Sequence, residues 1–176
     1  AQTKMTAREA AVKIADRILA STTYEFKNTK TGEIYKSVKK LPLDMDVKVA
    51  CKYNNWHYTN GVTNMALMEL GDKLGDKKYE KYVLKNMNFV FNEGNLDFFR
   101  KQYDEAFKRD GWNAVRKLSW HMIVRGKRLD DNGPMGASLI ELQLKYPNDS
   151  FLGYINETAE HLNYGEPRLV DGTIAR

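Results

Sequence analysis

The chain has 176 residues, of which 42% are hydrophobic and 29% charged, and its formal net charge is +5 at pH 7. This composition supports one folded domain with a hydrophobic core and excludes a disordered or fibrous chain. The longest apolar stretch, 62–70, is far shorter than the roughly 20 residues of a membrane-spanning helix. The basic residues are scattered and form no nucleic-acid-binding motif. We therefore expect an anionic partner, but neither a membrane nor a nucleic acid.

The cysteine and histidine content argues against a metal centre. Cys51 is the single cysteine, so no internal disulfide and no thiolate zinc site can form around the three histidines. The sequence opens Ala-Gln-Thr without an initiator methionine, as an exported bacterial protein does after signal-peptide cleavage. This favours a periplasmic or secreted location, with the cytoplasm as the alternative.

The sequence predicts a helix at the N-terminus, followed by a segment that is not helical. A capping box formed by Thr6 and Glu9 opens an amphipathic helix predicted over 6–20. The alternation around residues 28–32 then predicts a small hairpin or another ordered excursion, within a non-helical segment that extends over about 22–47.

The rest of the chain is predicted to be helical. Two helices are apolar on almost all sides, which is typical of buried helices, and the helix after each is apolar on one side. Gly111 and Gly126 interrupt the region between the two pairs. The predicted helices span 61–74, 79–90, 96–107, 112–123, 134–146 and 151–162.

The second half of the sequence repeats part of the first with a shift of 72 residues. Gly133 falls on Gly61 and Leu142 on Leu70, and the match continues through the following helix. Two copies of one helical hairpin are therefore predicted, each with a buried inner helix and an outer helix. Such repeats build either an α/α toroid or an open α-solenoid.

Asp130 and Asp131 lie side by side before the Asn-Gly that opens the predicted helix over 134–146. Acidic residues at a helix start are typical caps, because the backbone N–H groups and the helix dipole favour a carboxylate. A second interpretation is that one carboxylate faces a pocket and acts as an acid or a ligand-binding group. The sequence leaves both open.

Trp56, His57 and Tyr58 occupy the corresponding position of the earlier repeat. Aromatic rings beside carboxylates are typical of carbohydrate sites, whereas core packing is the alternative for each ring. His121 and His161 lie inside helical stretches, where surface or satisfied core histidines are common.

Three blocks of the sequence carry a resemblance to a known family. These are Trp56-His-Tyr-Thr-Asn-Gly-Val with Leu70-Gly-Asp, then Arg128-Leu-Asp-Asp-Asn-Gly-Pro-Met-Gly-Ala137, then Arg168-Leu-Val-Asp-Gly-Thr-Ile-Ala-Arg176. In this order they resemble the unsaturated rhamnogalacturonyl hydrolases of glycoside hydrolase family 105, relatives of the family 88 unsaturated glucuronyl hydrolases.

The resemblance implies an (α/α)6 barrel that removes a 4,5-unsaturated uronic acid from acidic, lyase-generated oligosaccharides by hydrating the double bond. It implies no metal and no organic cofactor. Asp131 matches the aspartate that contacts the unsaturated sugar and assists catalysis. The substrate-binding candidates of the matched blocks are Trp56, His57, Tyr58, Asn60, Asp130 and Met135.

The resemblance also implies that the 176 residues form the N-terminal half of the barrel, as a single domain over 1–176. The principal acid/base aspartate of the family follows the Asp171-Gly-Thr block, beyond Arg176, and a six-hairpin barrel needs about twice this length. We expect this chain to be inactive alone and to associate with another copy or with the missing C-terminal half. The alternative function is a non-catalytic helical-repeat interaction module.

Overall fold

A computed structural model describes residues 5–91, 94–126 and 129–175 of the chain. Most of these residues are helical, which confirms the all-α prediction. The helices are α1 (Ala7–Ser21), α2 (Tyr58–Leu74), α3 (Lys78–Phe91), α4 (Asn95–Val115), α5 (His121–Arg125), α6 (Leu129–Lys145) and α7 (Asp149–Glu160). A π-helical turn, His161–Gly165, follows α7.

The capping box at the start of α1 is confirmed. The Thr6 hydroxyl accepts a hydrogen bond from the Glu9 backbone N–H at 3.2 Å, and the Glu9 carboxylate accepts one from the Thr6 backbone N–H at 2.8 Å. These bonds satisfy two N–H groups that lack a partner within the helix, so α1 begins at Ala7.

A small antiparallel sheet follows α1 and confirms the predicted hairpin. Strand β1 (Phe26–Asn28) pairs with β2 (Ile34–Tyr35) across a turn in which Gly32 has a φ of 80°. The sequence did not predict the third strand, β3 (Val47–Val49), which pairs with the other edge of β1. Short 3₁₀ turns at Val38–Lys40 and Lys52–Asn54 complete the segment.

The prediction of one continuous helix over 112–123 is wrong, because α4 ends at Val115 and α5 begins at His121. Its first residues belong to α4, which bends where Gly111 has a φ of 52°, and the chain then turns before α5. Trp120 stands at this turn with a φ of 56° and a fully buried ring. Its indole N–H donates to the Asn54 backbone carbonyl at 2.7 Å, a long-range contact that helical periodicity does not reveal.

The predicted repeat is present as two helical hairpins, α2–α3 and α6–α7. The most extensive helix–helix contact of the described residues joins α2 to α6. Helix α6 begins at Leu129, five residues before the predicted start at Pro134. Asp130 and Asp131 therefore lie in the first turn of α6, and the prediction that they precede the helix is wrong. Pro134 removes one i→i−4 hydrogen bond from α6, yet the helix continues through it.

The prediction that α2 and α6 are buried on almost all sides is also wrong. Val62 on α2 is 56% exposed, and Ile140 on α6 is 47% exposed. Hydrophobic periodicity identifies a surface that can make contacts, but it does not say whether the chain itself supplies the partner. The main core instead lies where α2, α3, α6 and α7 meet the sheet and α4.

Candidate functional site

The N-terminal ends of α2 and α6 lie in direct contact. A Cβ atom at Gly61 would lie 2.5 Å from the backbone nitrogen of Met135, so only glycine permits this approach of the two backbones. Near the other ends of the helices, Lys145 Nζ lies 3.4 Å from Asp72 Oδ1. The two helices therefore run parallel, and their positive N-terminal ends lie side by side.

Asp131 lies at this junction and is only 3% exposed. Its Oδ1 accepts a hydrogen bond from the Tyr58 backbone N–H at 3.4 Å and lies 3.8 Å from His57 Nε2. Because Asp131 is itself in the first turn of α6, one carboxylate faces the N-terminal ends of two helices. This geometry gives Asp131 a capping role toward α2, a helix other than the one considered from the sequence, and the catalytic role of Asp131 stays a prediction.

His57 is the N-cap residue of α2. Its Nδ1 accepts from the Thr59 backbone N–H at 3.4 Å and lies 2.9 Å from the Thr59 hydroxyl. The other ring nitrogen, Nε2, faces Asp131. The contacts with Thr59 at the start of α2 orient the ring, whereas the 3.8 Å between Nε2 and Asp131 Oδ1 is too long for a direct hydrogen bond.

Tyr58 provides the accessible aromatic surface of the site. Its side chain is 47% exposed, and its ring centroid lies 4.5 Å from that of His57. The two rings combine an apolar face with hydrogen-bonding edges, as carbohydrate ligands require. The structure thus brings together three of the sequence-predicted residues: His57, Tyr58 and Asp131.

Trp56 takes a different position, in the interior, where it is only 1% exposed. Its indole N–H donates to Asn132 Oδ1 at 2.9 Å, and the same oxygen accepts from the Tyr154 hydroxyl at 3.2 Å. The Trp56 and Tyr154 rings meet edge to face at 5.3 Å. Trp56 therefore packs behind the site and links α2 to α6 and α7, although the sequence predicts it as a substrate contact.

The remaining predicted residues surround this junction. The Asn60 side-chain amide donates to the backbone carbonyls of Lys52 and Asn55 at 2.9 and 2.7 Å, which anchors the loop before α2. Met135 is buried against α2. Asp130 lies on the exposed side of the first turn of α6. For none of the three does this placement test a contact with substrate.

Sequence reasoning missed a second buried carboxylate, Glu80 on α3. It accepts hydrogen bonds from Lys145 Nζ and the Tyr146 hydroxyl, both at 2.6 Å. These two donors, the ammonium first, hold the pKa of Glu80 below its usual value. The group joins α3 to the C-terminal end of α6, away from the His57 side. No local sequence signal marks it, because its partners are 65 and 66 residues away.

Comparisons add no assignment to this geometry. No protein-family model matches the sequence, and a search of curated proteins returns no match either. Within residues 5–91, 94–126 and 129–175, no cluster of three or more His, Cys, Asp or Glu side chains could hold a metal ion. Among the same residues, every helix is too short or too polar to cross a bilayer.

Proposed function

We propose that this chain forms part of a glycoside hydrolase that removes a 4,5-unsaturated uronic acid from acidic oligosaccharides. The observation that carries the proposal is the junction of α2 and α6, where buried Asp131 faces His57 Nε2 beside the exposed ring of Tyr58. The block resemblance described from the sequence points to the same residues. A net charge of +5 favours an anionic ligand.

In the proposed reaction, an acid protonates carbon 4 of the unsaturated sugar and water adds at carbon 5. The resulting hemiketal opens and releases the aglycone, so no metal or redox cofactor is required. Tyr58 and His57 contact the sugar, and Asp131 assists by placing negative charge near the cationic transition state. The principal acid belongs to a segment that the resemblance places after Arg176.

The repeat supports the architecture that goes with this function. Helices α2 and α6 run parallel in contact, and each is followed by its own partner helix. Continued around an axis, such hairpins form the inner and outer rings of an (α/α)6 toroid. We propose that the two hairpins are consecutive members of that ring.

Binding by the chain itself tests the proposal without requiring turnover. We expect an unsaturated uronyl disaccharide to shift the NMR signals of Tyr58, His57 and Thr59, while the absorbance of its double bond stays constant. Tyr58→Ala should abolish these shifts. Tyr164→Ala, at an 88% exposed tyrosine far along the chain, is the matched control and should not.

If the NMR signals stay unshifted up to the highest disaccharide concentration of the titration, the result would contradict the proposal. Turnover by the chain alone would contradict the assignment of the principal acid to a later segment. The second candidate function, a helical-repeat interaction module, is favoured by the exposed apolar side chains of α2 and α6. It predicts association without any sugar binding, so the same titration separates the two.

A further inference from the structure

A small polar pocket lies between α5 and the C-terminal end of α7. Its volume is about 240 Å³. We call it the α5–α7 pocket; its lining includes Arg125, Gly126, Tyr154, Glu157, Thr158 and His161. Both walls consist of described residues, and none of these residues is His57, Tyr58 or Asp131 of the candidate site. The pocket is therefore a cavity separate from that site.

Arg125 carries a positive charge without a counter-ion in the described part of the chain. Within residues 5–91, 94–126 and 129–175, no carboxylate oxygen lies within 4.0 Å of its guanidinium nitrogens. The guanidinium instead stacks on the indole of Trp112, with Cζ 4.4 Å from the ring centroid. Stacking uses the face of the guanidinium, while its N–H donors point outward in the plane. A carboxylate, which accepts two parallel hydrogen bonds, fits these donors.

Glu157 and Thr158 provide hydrogen-bonding groups on the α7 side of the pocket. The Glu157 carboxylate lies 3.8 Å from the Arg100 guanidinium of α4, and its side chain is 71% exposed, so its oxygens are accessible to further donors. An ionised carboxylate only accepts hydrogen bonds, whereas a hydroxyl group also donates them. The α7 side therefore favours a ligand that carries hydroxyl groups.

The two rings that line the pocket are held in place by the fold. His161 Nε2 lies 2.7 Å from Glu166 Oε1, and a Cβ atom at Gly165 would overlap Nδ1 of the same ring. Tyr154 is buried, and its hydroxyl donates to Asn132 Oδ1 at 3.2 Å. Because both rings are fixed before a ligand enters, little side-chain entropy is lost on binding.

We propose that the α5–α7 pocket binds one sugar acid, with the sugar carboxylate on Arg125 and the sugar hydroxyl groups on Glu157 and Thr158. The volume of about 240 Å³ suits a single sugar unit, because pockets for drug-sized ligands measure about 300–1,000 Å³. A neutral sugar leaves Arg125 without a counter-ion, and an anion without hydroxyl groups has nothing to donate to Glu157. The proposal does not rest on the hydrolase activity, since the pocket shares no residue with the candidate site.

Titration with free galacturonate, followed by backbone NMR, tests the proposal. We expect the signals of Gly126, Thr158 and His161 to shift together and to saturate. Galactose has no carboxylate and acetate has no hydroxyl group, so each should bind about tenfold or more weakly than galacturonate.

Three variants test the role of the charge. Arg125→Gln keeps a planar polar group but removes the charge, and should weaken galacturonate binding about tenfold or more. Arg125→Lys keeps the charge without the planar fork, so it should lose less affinity than Arg125→Gln. The matched control is Arg17→Gln, the same change at an exposed arginine of α1, and it should bind like the wild type. Circular dichroism should show unchanged helix content in all three.

Unshifted signals of Gly126, Thr158 and His161 up to the highest galacturonate concentration would overturn the proposal. Undiminished affinity in folded Arg125→Gln would do the same. Binding of galactose or acetate as tight as that of galacturonate would also overturn it, because the pocket would then not recognise a sugar acid.

A further variant separates this pocket from the candidate site. Tyr58→Ala should leave the galacturonate shifts of Gly126 and Thr158 unchanged, because Tyr58 lies outside the pocket. If galacturonate shifts only the signals of His57 and Thr59, the pocket proposal fails while the proposed function stands. If the unsaturated disaccharide leaves His57 and Thr59 unshifted while galacturonate shifts Gly126 and Thr158, the proposed function fails and the pocket proposal stands.

Discussion

Replacing Asp131 measures how much the junction between α2 and α6 depends on one buried carboxylate. Asp131→Asn retains an oxygen that can accept the Tyr58 backbone N–H but removes the negative charge beside two helix N-terminal ends. A charge in this position contributes about 0.3–1 kcal/mol per helix, and up to about 2 kcal/mol when partly buried. We therefore expect a loss of about 1–2 kcal/mol, which lowers the melting temperature by about 2–8 °C in a chain of this size.

Asp131→Ala should cost more, because it also removes the acceptor. The Tyr58 N–H then loses its 3.4 Å partner at a partly buried position, and loss of such a hydrogen bond costs about 0.5–1.5 kcal/mol. The difference between the Ala and Asn variants measures what the polar side-chain group contributes, with this hydrogen bond as its contact to α2. Asp130→Asn is the matched control, since the side chain of Asp130 lies on the exposed side of the same turn, where surface charges contribute about 0–1 kcal/mol.

Urea unfolding followed by circular dichroism gives the three free energies, and titration with the unsaturated disaccharide gives the effect on binding. Equal stability of Asp131→Ala and Asp131→Asn would refute the assigned hydrogen bond to α2. Undiminished sugar binding by folded Asp131→Asn would refute the role of the charge in the proposed site. The unfolding free energies test the capping role of Asp131, and the titration tests its role in sugar binding, so either role can be refuted without the other.

Three further substitutions, each with a control or reference, test other contacts of the fold. Gly61→Ala should destabilise the chain by about 1–3 kcal/mol in urea unfolding, because the added methyl group meets the backbone of α6. Gly153→Ala, with open space around its Cβ position, should instead stabilise it by about 0.5–1 kcal/mol; a similar loss in both would contradict the close helix contact. Asn132→Ala leaves two buried donors without their shared acceptor and should cost about 2–4 kcal/mol, whereas Asn156→Ala on exposed α7 surface should stay within about 0.5 kcal/mol. The lowered pKa of Glu80 stabilises the fold above the unfolded value of about 4.5, and this contribution is lost as the pH falls through the folded pKa. The unfolding free energy of the wild type should therefore fall more steeply below pH 4.5 than that of Glu80→Gln, and parallel pH profiles would contradict the assignment.

Local chemistry made part of this fold predictable from the sequence. The Thr6–Glu9 capping box lies within four residues, and the hairpin turn around Gly32 needs one positive φ. The repeat spacing of 72 likewise predicted that α6 and α7 would match α2 and α3, because matching sequence patterns favour the same secondary structure. These signals require no knowledge of distant partners.

The parts that sequence reasoning missed depend on long-range contacts. Strand β3 exists because β1 offers it a free edge, and the break at Trp120 exists because its indole N–H finds the Asn54 carbonyl. The helical pattern also could not tell that Val62 and Ile140 face solvent, since an apolar residue predicts a contact surface and not its occupant.

In the candidate site, too, the sequence predicted some residues correctly and missed features that depend on long-range contacts. The sequence placed His57, Tyr58 and Asp131 in two corresponding loops, which is why their association followed from the repeat. It could not distinguish Trp56 from Tyr58, although one is buried against Asn132 and the other is exposed. The difference arises from which face of the N-cap segment turns toward α6, a consequence of tertiary packing.

The candidate site has its origin in the parallel packing of α2 and α6. Parallel helices bring their N-terminal ends, and so their positive dipole ends, to the same end of the pair. The carboxylate of Asp131 lies between these two ends and offsets their partial charges, so the charge of the junction is decided by the first turn of α6, where Asp130 and Asp131 lie.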